Sequence, residues 1–203
     1  MNTDIPDILK KYNLDINYII NDKNFPLKER KLPDICADRI DYLMRWMFHY
    51  ENRNTIEIEE IISHLIIKDE NRIFDNIRYA QKYTETFAKG NDKYMSSIRA
   101  AAMFQTVGDC LKYAWTKGYL QKEDFYTTDQ HVLDKIISHI EHDEQLNMYR
   151  QRMNNKIPFK NDPNDFEVQV ICKNRIVDPL FMDGDKIKRL SDVDNERKLI
   201  VQK

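Results

Sequence analysis

The spacing of apolar residues predicts a chain built mostly of helices. Between Asp34 and Tyr50, apolar side chains recur at steps of three to five residues, which places them on one face of a helix. Asn54 or Thr55 is suited to cap the next helix, and Gly118 to end a long one. Further helices are predicted over 56–65, 76–89, 93–117 and 129–153, the last continuous or in two pieces, and short ones near Asp4 and Asn13.

Two segments depart from helical spacing. Short apolar runs flank residues 69–71, a pattern that predicts a small β-hairpin. A polar linker with two prolines covers 158–165, and the alternating residues 166–172 after it predict a half-buried strand. Residues 175–181 and 185–190 are expected to pair with that strand.

The predicted fold is therefore mainly α, in two parts. A helical body over 1–155 contains the short β-hairpin, and a small β-containing C-terminal segment covers 156–203. Hydrophobic residues make up 41% of the chain, which is enough to bury a core. The four glycines are too scattered to form a glycine-rich phosphate loop, so nucleotide binding of that kind is excluded.

Charge and cysteine content narrow the class of protein further. The 32 basic and 34 acidic residues give a net charge of −2, so no overall basic surface attracts nucleic acid, which is not expected as a partner. Cys36, Cys110 and Cys172 lie far apart and favour reduced thiols over a disulfide framework. The chain begins without an apolar leader, and no apolar run is long enough to span a bilayer. We expect a cytoplasmic protein with no membrane attachment.

The helix predicted up to Tyr50 presents the residues best suited to chemistry. Asp38, Asp41, Tyr42 and Arg45 stand at i, i+3, i+4 and i+7, and therefore share one helical face. One interpretation is a divalent metal at Asp38, with a nearby arginine binding a phosphate. The other is a solvated stripe in which Asp41 and Arg45 form an i,i+4 ion pair. Spacing alone leaves both open.

The same residues resemble a known family. DICADRIDYLMR, residues 34–45, is similar to the DR-x-DY-x-x-R segment of HD-domain phosphohydrolases, in the branch of the deoxynucleoside triphosphate triphosphohydrolases. The resemblance continues through KYNLDINYII, FPLKERKLPD, LIIKDENRIFD, GYLQKEDFYTTDQHVLDKI, KNRIVDPLF and KRLSDVD.

The resemblance implies a helical HD-type fold and a metal-dependent hydrolysis of phosphate esters or nucleotides. It implies that Asp38 is a catalytic residue, as the last ligand of a divalent metal (Mn, Mg, Fe or Zn). It further implies that Arg39 faces substrate phosphates and that Tyr42 lines the substrate pocket. Arg45 is implied as a further substrate-binding residue.

Two departures limit the resemblance to the C-terminal half of the family. The family places a His and a His-Asp pair before the last metal ligand, whereas no histidine precedes His49 here. Trp46 stands where the family has an aspartate that contacts the sugar. The chain is thus predicted to be a part, or a degenerate relative, of an HD-type phosphohydrolase. It is expected to bind a divalent metal if other residues complete the site, and otherwise no cofactor.

Two further functions stay open beside that one. The chain is alternatively a non-catalytic protein that binds a nucleotide or an HD-type partner, or it is one half of a split enzyme. The partners expected are a phosphate-containing small molecule and either a second copy of the chain or an HD-type partner chain.

Three weaker candidates lie elsewhere in the sequence. His139, His142 and Asp143 stand at i, i+3 and i+4. They are either a rearranged metal site or part of a solvated helix face. Cys110 is a conceivable thiol nucleophile without a positioned base. The last candidate is the charged set of Lys173, Arg175 and Asp178, which is either a phosphate-facing or inter-subunit cluster or a set of strand-edge charges.

Overall fold

The structure, a computed structural model, describes residues 3–154, 156, 158, 160–166, 169–170, 172 and 174–202. It is mainly helical with a small sheet, which confirms the predicted fold class. The helices are α1 (Ile5–Lys11), α2 (Ile16–Ile19), α3 (Ala37–Tyr50), α4 (Thr55–Ser63), α5 (Ile77–Gly90), α6 (Ile98–Thr116), α7 (Asp129–Ile137), α8 (Glu144–Arg152) and α9 (Asn195–Val201). The strands are β1 (Leu65–Lys68), β2 (Asn71–Phe74), β3 (Leu180–Asp183) and β4 (Lys186–Arg189). Within these described ranges, no helix has the length and apolarity needed to cross a lipid bilayer.

The described residues separate into two compact units. Those up to Gly90, together with those from Arg175 onward, form the first unit, and those between Asn91 and Asn174 form the second. This division differs from the predicted boundary between residues 155 and 156. The C-terminal strands join the sheet that contains the first hairpin, and therefore belong to the same unit as α3 and α5.

The sheet of the first unit has the order β1-β2-β3-β4. β1 and β2 form the predicted antiparallel hairpin, with Leu65 opposite Phe74. β3 lies parallel to β2, with Ile73 opposite Leu180, and β4 lies antiparallel to β3. The segments predicted at 175–181 and 185–190 thus contribute strands that pair with each other and with β2.

The strand predicted over 166–172 has no counterpart among the described residues of that stretch. Phe166, Gln169, Val170 and Cys172 lie outside any strand, and the other three positions, 167, 168 and 171, fall outside the described residues. The polar linker over 158–165 contains no helix or strand at its described positions.

The core of the first unit lies between the apolar faces of α3 and α5 and the sheet. Helix α3 begins at Ala37 rather than near Asp34, because Asp34 does not cap it and its carboxylate pairs instead with Arg189. Asn54 caps α4 as predicted, since its Oδ1 accepts the Glu57 N–H at 2.8 Å. The largest fully buried side chains of this core are Leu43, Met47, Ile61, Ile73, Phe74, Tyr83, Phe87, Val177 and Leu190.

The second unit packs α6 against α8, with α7 beside them. Its core contains residues that are at most 1% exposed, namely Cys110, Ala114, Leu120, Ile136 and Leu146. Asn91–Met95 form a π-helical turn, so α6 begins at Ile98, later than the predicted residue 93.

Candidate functional site

Asp38 lies in the first turn of α3 and is exposed to solvent. Its carboxylate has no hydrogen bond and no ion pair to any described residue. A carboxylate in this position is favoured by the positive end of the helix dipole, so the negative charge is tolerated without a cation. The group predicted to bind a metal is therefore available to a ligand.

Tyr42 follows Asp38 by one turn on the same face of α3. Its ring lies beside Phe87 of α5, with 6.1 Å between the ring centroids. The hydroxyl is buried and has no hydrogen-bond partner among the described residues. Burial raises the pKa of this hydroxyl, while the guanidinium groups of Arg39 and Arg175 act in the opposite direction. Tyr42 thus offers a neutral O–H donor close to two arginines.

Tyr83 of α5 brings a second phenol to the same place. Its side chain is 1% exposed, and its hydroxyl also has no partner in the described part of the chain. Burial raises the pKa of Tyr83 far above its usual value, and the neighbouring Tyr42 raises it further. A buried polar group without a partner costs about 1–3 kcal/mol, so this arrangement is unfavourable unless water or a ligand accepts these hydrogen bonds.

Arg39 is held by the loop that precedes α3. Its Nη1 donates to the carbonyl oxygen of Arg30 at 2.6 Å and lies 2.9 Å from the Sγ of Cys36. Its Nη2 is 3.5 Å from Oε1 of Glu29, and only 13% of the side chain is exposed. The predicted contact with substrate phosphates stays a prediction, since these contacts fix the loop and leave the guanidinium little freedom.

Arg45 forms the ion pair that spacing suggested. Its Nε is 2.9 Å from Oδ2 of Asp41, and both side chains are mostly exposed, so the pair contributes a few tenths of a kcal/mol. The predicted role of Arg45 in substrate binding stays a prediction. Trp46, the departure from the family pattern, packs over Gly90, where an added Cβ would lie 3.4 Å from its ring. This residue therefore serves the contact between α3 and α5.

The described residues do not hold a divalent metal by themselves. Among the described residues, no group of three or more His, Cys, Asp or Glu side chains is placed to bind one ion. Asp38 supplies a single ligand, whereas a metal site requires several at fixed geometry.

Among the weaker candidates, Asp143, Cys110 and Asp178 have structural roles. Asp143 caps α8, accepting the Leu146 N–H at 2.9 Å, and it also accepts the hydroxyl of Tyr119 at 3.0 Å. Cys110 is fully buried, and burial raises the pKa of its thiol, which opposes a role as nucleophile. Asp178 is buried and accepts hydrogen bonds from the backbone and hydroxyl of Ser191. Lys173 lies outside the described residues.

Sequence reasoning missed Tyr83, and it named Arg175 only in a separate charged set, without placing it near Tyr42. Tyr83 belongs to a helically spaced aromatic set, and that spacing predicts only that the ring is buried. Arg175 lies more than 130 positions after Tyr42, and no local pattern indicates that they approach each other.

The chain is similar to a protein of Bacillus subtilis. The chain is 27% identical over 202 residues to the uncharacterized protein YdhJ of Bacillus subtilis (strain 168). The match covers 98% of this chain, and the chain spans 61% of the length of that relative. No protein family model matches the chain, and no solved structure matches it.

Proposed function

We propose that this chain is part, or a degenerate relative, of an HD-type metal-dependent phosphohydrolase acting on phosphate esters or nucleotides. The observation that carries the proposal is that two polar groups without partners lie one turn apart on α3. The Asp38 carboxylate is exposed, and the Tyr42 hydroxyl one turn later is buried without a partner among the described residues. The resemblance of residues 34–45 to the family segment assigns a metal to the first group and substrate to the second.

The metal, in this proposal, is held jointly. Asp38 provides one ligand, and the others come from a second polypeptide or from residues outside those described. The length of the matched relative supports this, since more than a third of YdhJ lies outside the match. The reaction therefore belongs to the assembled protein, which we place in the cytoplasm.

The surface of the N-terminal helices supports an assembled state. Helix α1 buries none of its residues, and Ile5, Ile8 and Tyr12 are each about half exposed or more. Exposed apolar side chains of this kind mark association surfaces. We propose that a second copy of the chain or an HD-type partner covers them.

A second function, non-catalytic binding of a phosphate-containing small molecule, is favoured by a different observation. Arg39 and Arg175 lie close enough to Tyr42 to act against the rise in the pKa of its hydroxyl that burial and the Asp38 carboxylate cause, so two guanidinium groups are near the buried hydroxyl. A phosphate group at this place needs no metal, since arginine and phenol O–H groups both donate hydrogen bonds to it.

The experiment that separates these functions is an assay of phosphate release. The protein is purified from its own cells with any polypeptide that remains bound, and p-nitrophenyl phosphate and deoxynucleoside triphosphates are supplied with and without Mn²⁺. We expect Mn²⁺-dependent hydrolysis that Asp38→Asn lowers at least 100-fold. Asp41→Asn, a carboxylate one turn away that pairs with Arg45, is the matched control and should retain activity.

Hydrolysis that is equal in the wild type and in Asp38→Asn would contradict the enzymatic proposal. No hydrolysis, together with phosphate-ester binding weakened by Tyr42→Phe, would favour the non-catalytic function instead.

A further inference from the structure

A small cavity lies in the first unit, between the loop before α3 and the sheet. The loop before α3 lines it with Leu27, Arg30 and Asp34, and the sheet lines it with Asn71, Arg72 and Leu180. Its volume is about 10 Å³, which is room for the centre of one atom the size of a water oxygen. The cavity is partly open, so a ligand can place one atom inside and the rest at the opening.

Arg72 is the unusual residue of this cavity. Its Nε is buried and has no hydrogen-bond partner, and the guanidinium makes no ion pair with any residue in the described part of the chain. The Arg72 side chain is only partly buried, but a buried N–H donor without a partner costs about 1–3 kcal/mol, so a ligand atom that accepts from this Nε is favoured. Arg72 lies in the second position of β2, where the strand fixes its backbone.

Arg30 brings a second cation to the same cavity. Its Nε donates to the carbonyl oxygen of Pro26 at 2.9 Å, and its Nη2 donates to that of Glu70 at 2.6 Å. These bonds orient the guanidinium, but neither acceptor carries a charge. Among the described residues no carboxylate forms an ion pair with Arg30.

The one acidic side chain that lines the cavity is already neutralised. Oδ1 of Asp34 lies 2.6 Å from Nη2 of Arg189. The cavity therefore presents two guanidinium charges, from Arg30 and Arg72, that no carboxylate balances. This excess of positive charge favours an anion at the cavity.

We propose that this cavity binds one oxyanion, a phosphate group, through Arg72 and Arg30. One phosphate oxygen occupies the cavity and accepts the Nε–H of Arg72, and the remaining oxygens lie at the opening. A guanidinium matches the geometry of phosphate oxygens with two parallel donors, which a lysine does not. The cavity adjoins Arg39, whose Nη1 donates to the carbonyl oxygen of Arg30, and the anion site does not depend on the proposed hydrolysis.

The ligand is either inorganic phosphate or the phosphate group of a small phosphate monoester. Thermal unfolding of the purified protein distinguishes these sources. The concentration of inorganic phosphate, glycerol phosphate or chloride is increased at constant ionic strength. We expect a saturable rise of Tm with inorganic phosphate and none with chloride. A tighter response to glycerol phosphate than to inorganic phosphate would identify the monoester as the ligand.

Variants at Arg72 test the assignment of the site. Arg72→Gln should weaken phosphate binding about tenfold or more, since it removes a charge-assisted hydrogen bond, and Arg72→Lys should weaken it less. Arg78→Gln, which removes the same charge from an exposed position on α5, is the control and should bind phosphate as the wild type does. Without phosphate, Arg72→Gln should be at least as stable as the wild type, because the buried Nε–H donor without a partner is lost.

Two results would overturn the proposal. One is the absence of any phosphate effect on Tm in the wild type. The other is an equal phosphate effect in the wild type and in Arg72→Gln, which would place the anion elsewhere on the protein.

Discussion

Asp34 and Arg189 stand 155 positions apart in the chain, and their side chains form an ion pair with 2.6 Å between Oδ1 and Nη2. The same arginine donates from Nη1 to the carbonyl oxygen of Asp178 at 2.9 Å. The backbone N–H of Asp178 in turn donates to the carbonyl oxygen of Pro33 at 2.8 Å. These contacts join the C-terminal strands to the loop before α3, and thereby fix where the helix with Asp38 begins.

Replacing either partner of this pair should destabilise the protein. We expect Arg189→Met and Asp34→Asn each to lower the free energy of unfolding by about 1–2 kcal/mol, since a partly buried group loses its partner. Urea denaturation of both single variants and the double variant gives the coupling energy. The double variant should lose less than the sum of the singles, whereas strict additivity would show that the pair does not contribute.

The tip of the first hairpin offers a stabilising substitution. Asp69 and Glu70 have φ angles of 50° and 57°, in the left-handed region that glutamate rarely adopts. Glu70→Gly creates an Asp-Gly turn suited to these angles, and it retains the backbone carbonyl that accepts from Arg30. The free energy of unfolding should rise by about 0.5–1 kcal/mol.

Glu59→Gly is the control for that substitution. Glu59 is exposed within α4, where glycine costs about 1 kcal/mol. The two variants should therefore change the urea midpoint in opposite directions. A lower midpoint for Glu70→Gly would show that its positive φ carries no strain.

The carboxylate of Asp124 should make the stability of the second unit depend on pH in acid. Its carboxylate accepts hydrogen bonds from Lys135, from the backbone of Gln121 and from His131, and these hold the pKa of Asp124 well below its ordinary value of 3.8. A depressed pKa in the folded state stabilises the protein above the unfolded pKa, and this stabilisation is lost as the pH falls. Stability should therefore decrease steadily below about pH 4.

The Asp124→Asn variant isolates this effect. It should be less stable than the wild type at pH 7, and the difference should shrink as the pH falls from 4 to 2. Asp129→Asn, which removes an exposed carboxylate from the first turn of α7, should leave the acid response of the wild type in place. A constant difference between wild type and Asp124→Asn over that range would contradict the assigned role.

Local signals predicted the elements that depend on neighbouring residues. Helix α4 begins where Asn54 accepts the N–H of Glu57, and the β1–β2 hairpin turns where the apolar runs are interrupted. Both are decided within a few residues, so periodicity and capping suffice.

Distant pairing could not be predicted in the same way. Ile73 pairs with Leu180 across more than 100 residues, and this parallel pairing places the C-terminal strands in the first unit. The candidate site shows the same limit. The helical face with Asp38 and Tyr42 follows from spacing, but the buried hydroxyl of Tyr83 and the contacts of Arg39 depend on tertiary packing.

If Asp38 contributes a ligand to a metal in the assembled protein, Mn²⁺ should raise the Tm of the protein only when Asp38 is present. The wild type, Asp38→Asn and Asp41→Asn are unfolded with and without Mn²⁺, in the preparation that retains bound polypeptides. At about 100 times the dissociation constant, Mn²⁺ should stabilise the wild type by roughly 2.7 kcal/mol, a rise in Tm of about 5–10 °C. We expect this rise in the wild type and in Asp41→Asn and its loss in Asp38→Asn. No rise in the wild type, or an equal rise in Asp38→Asn, would contradict it.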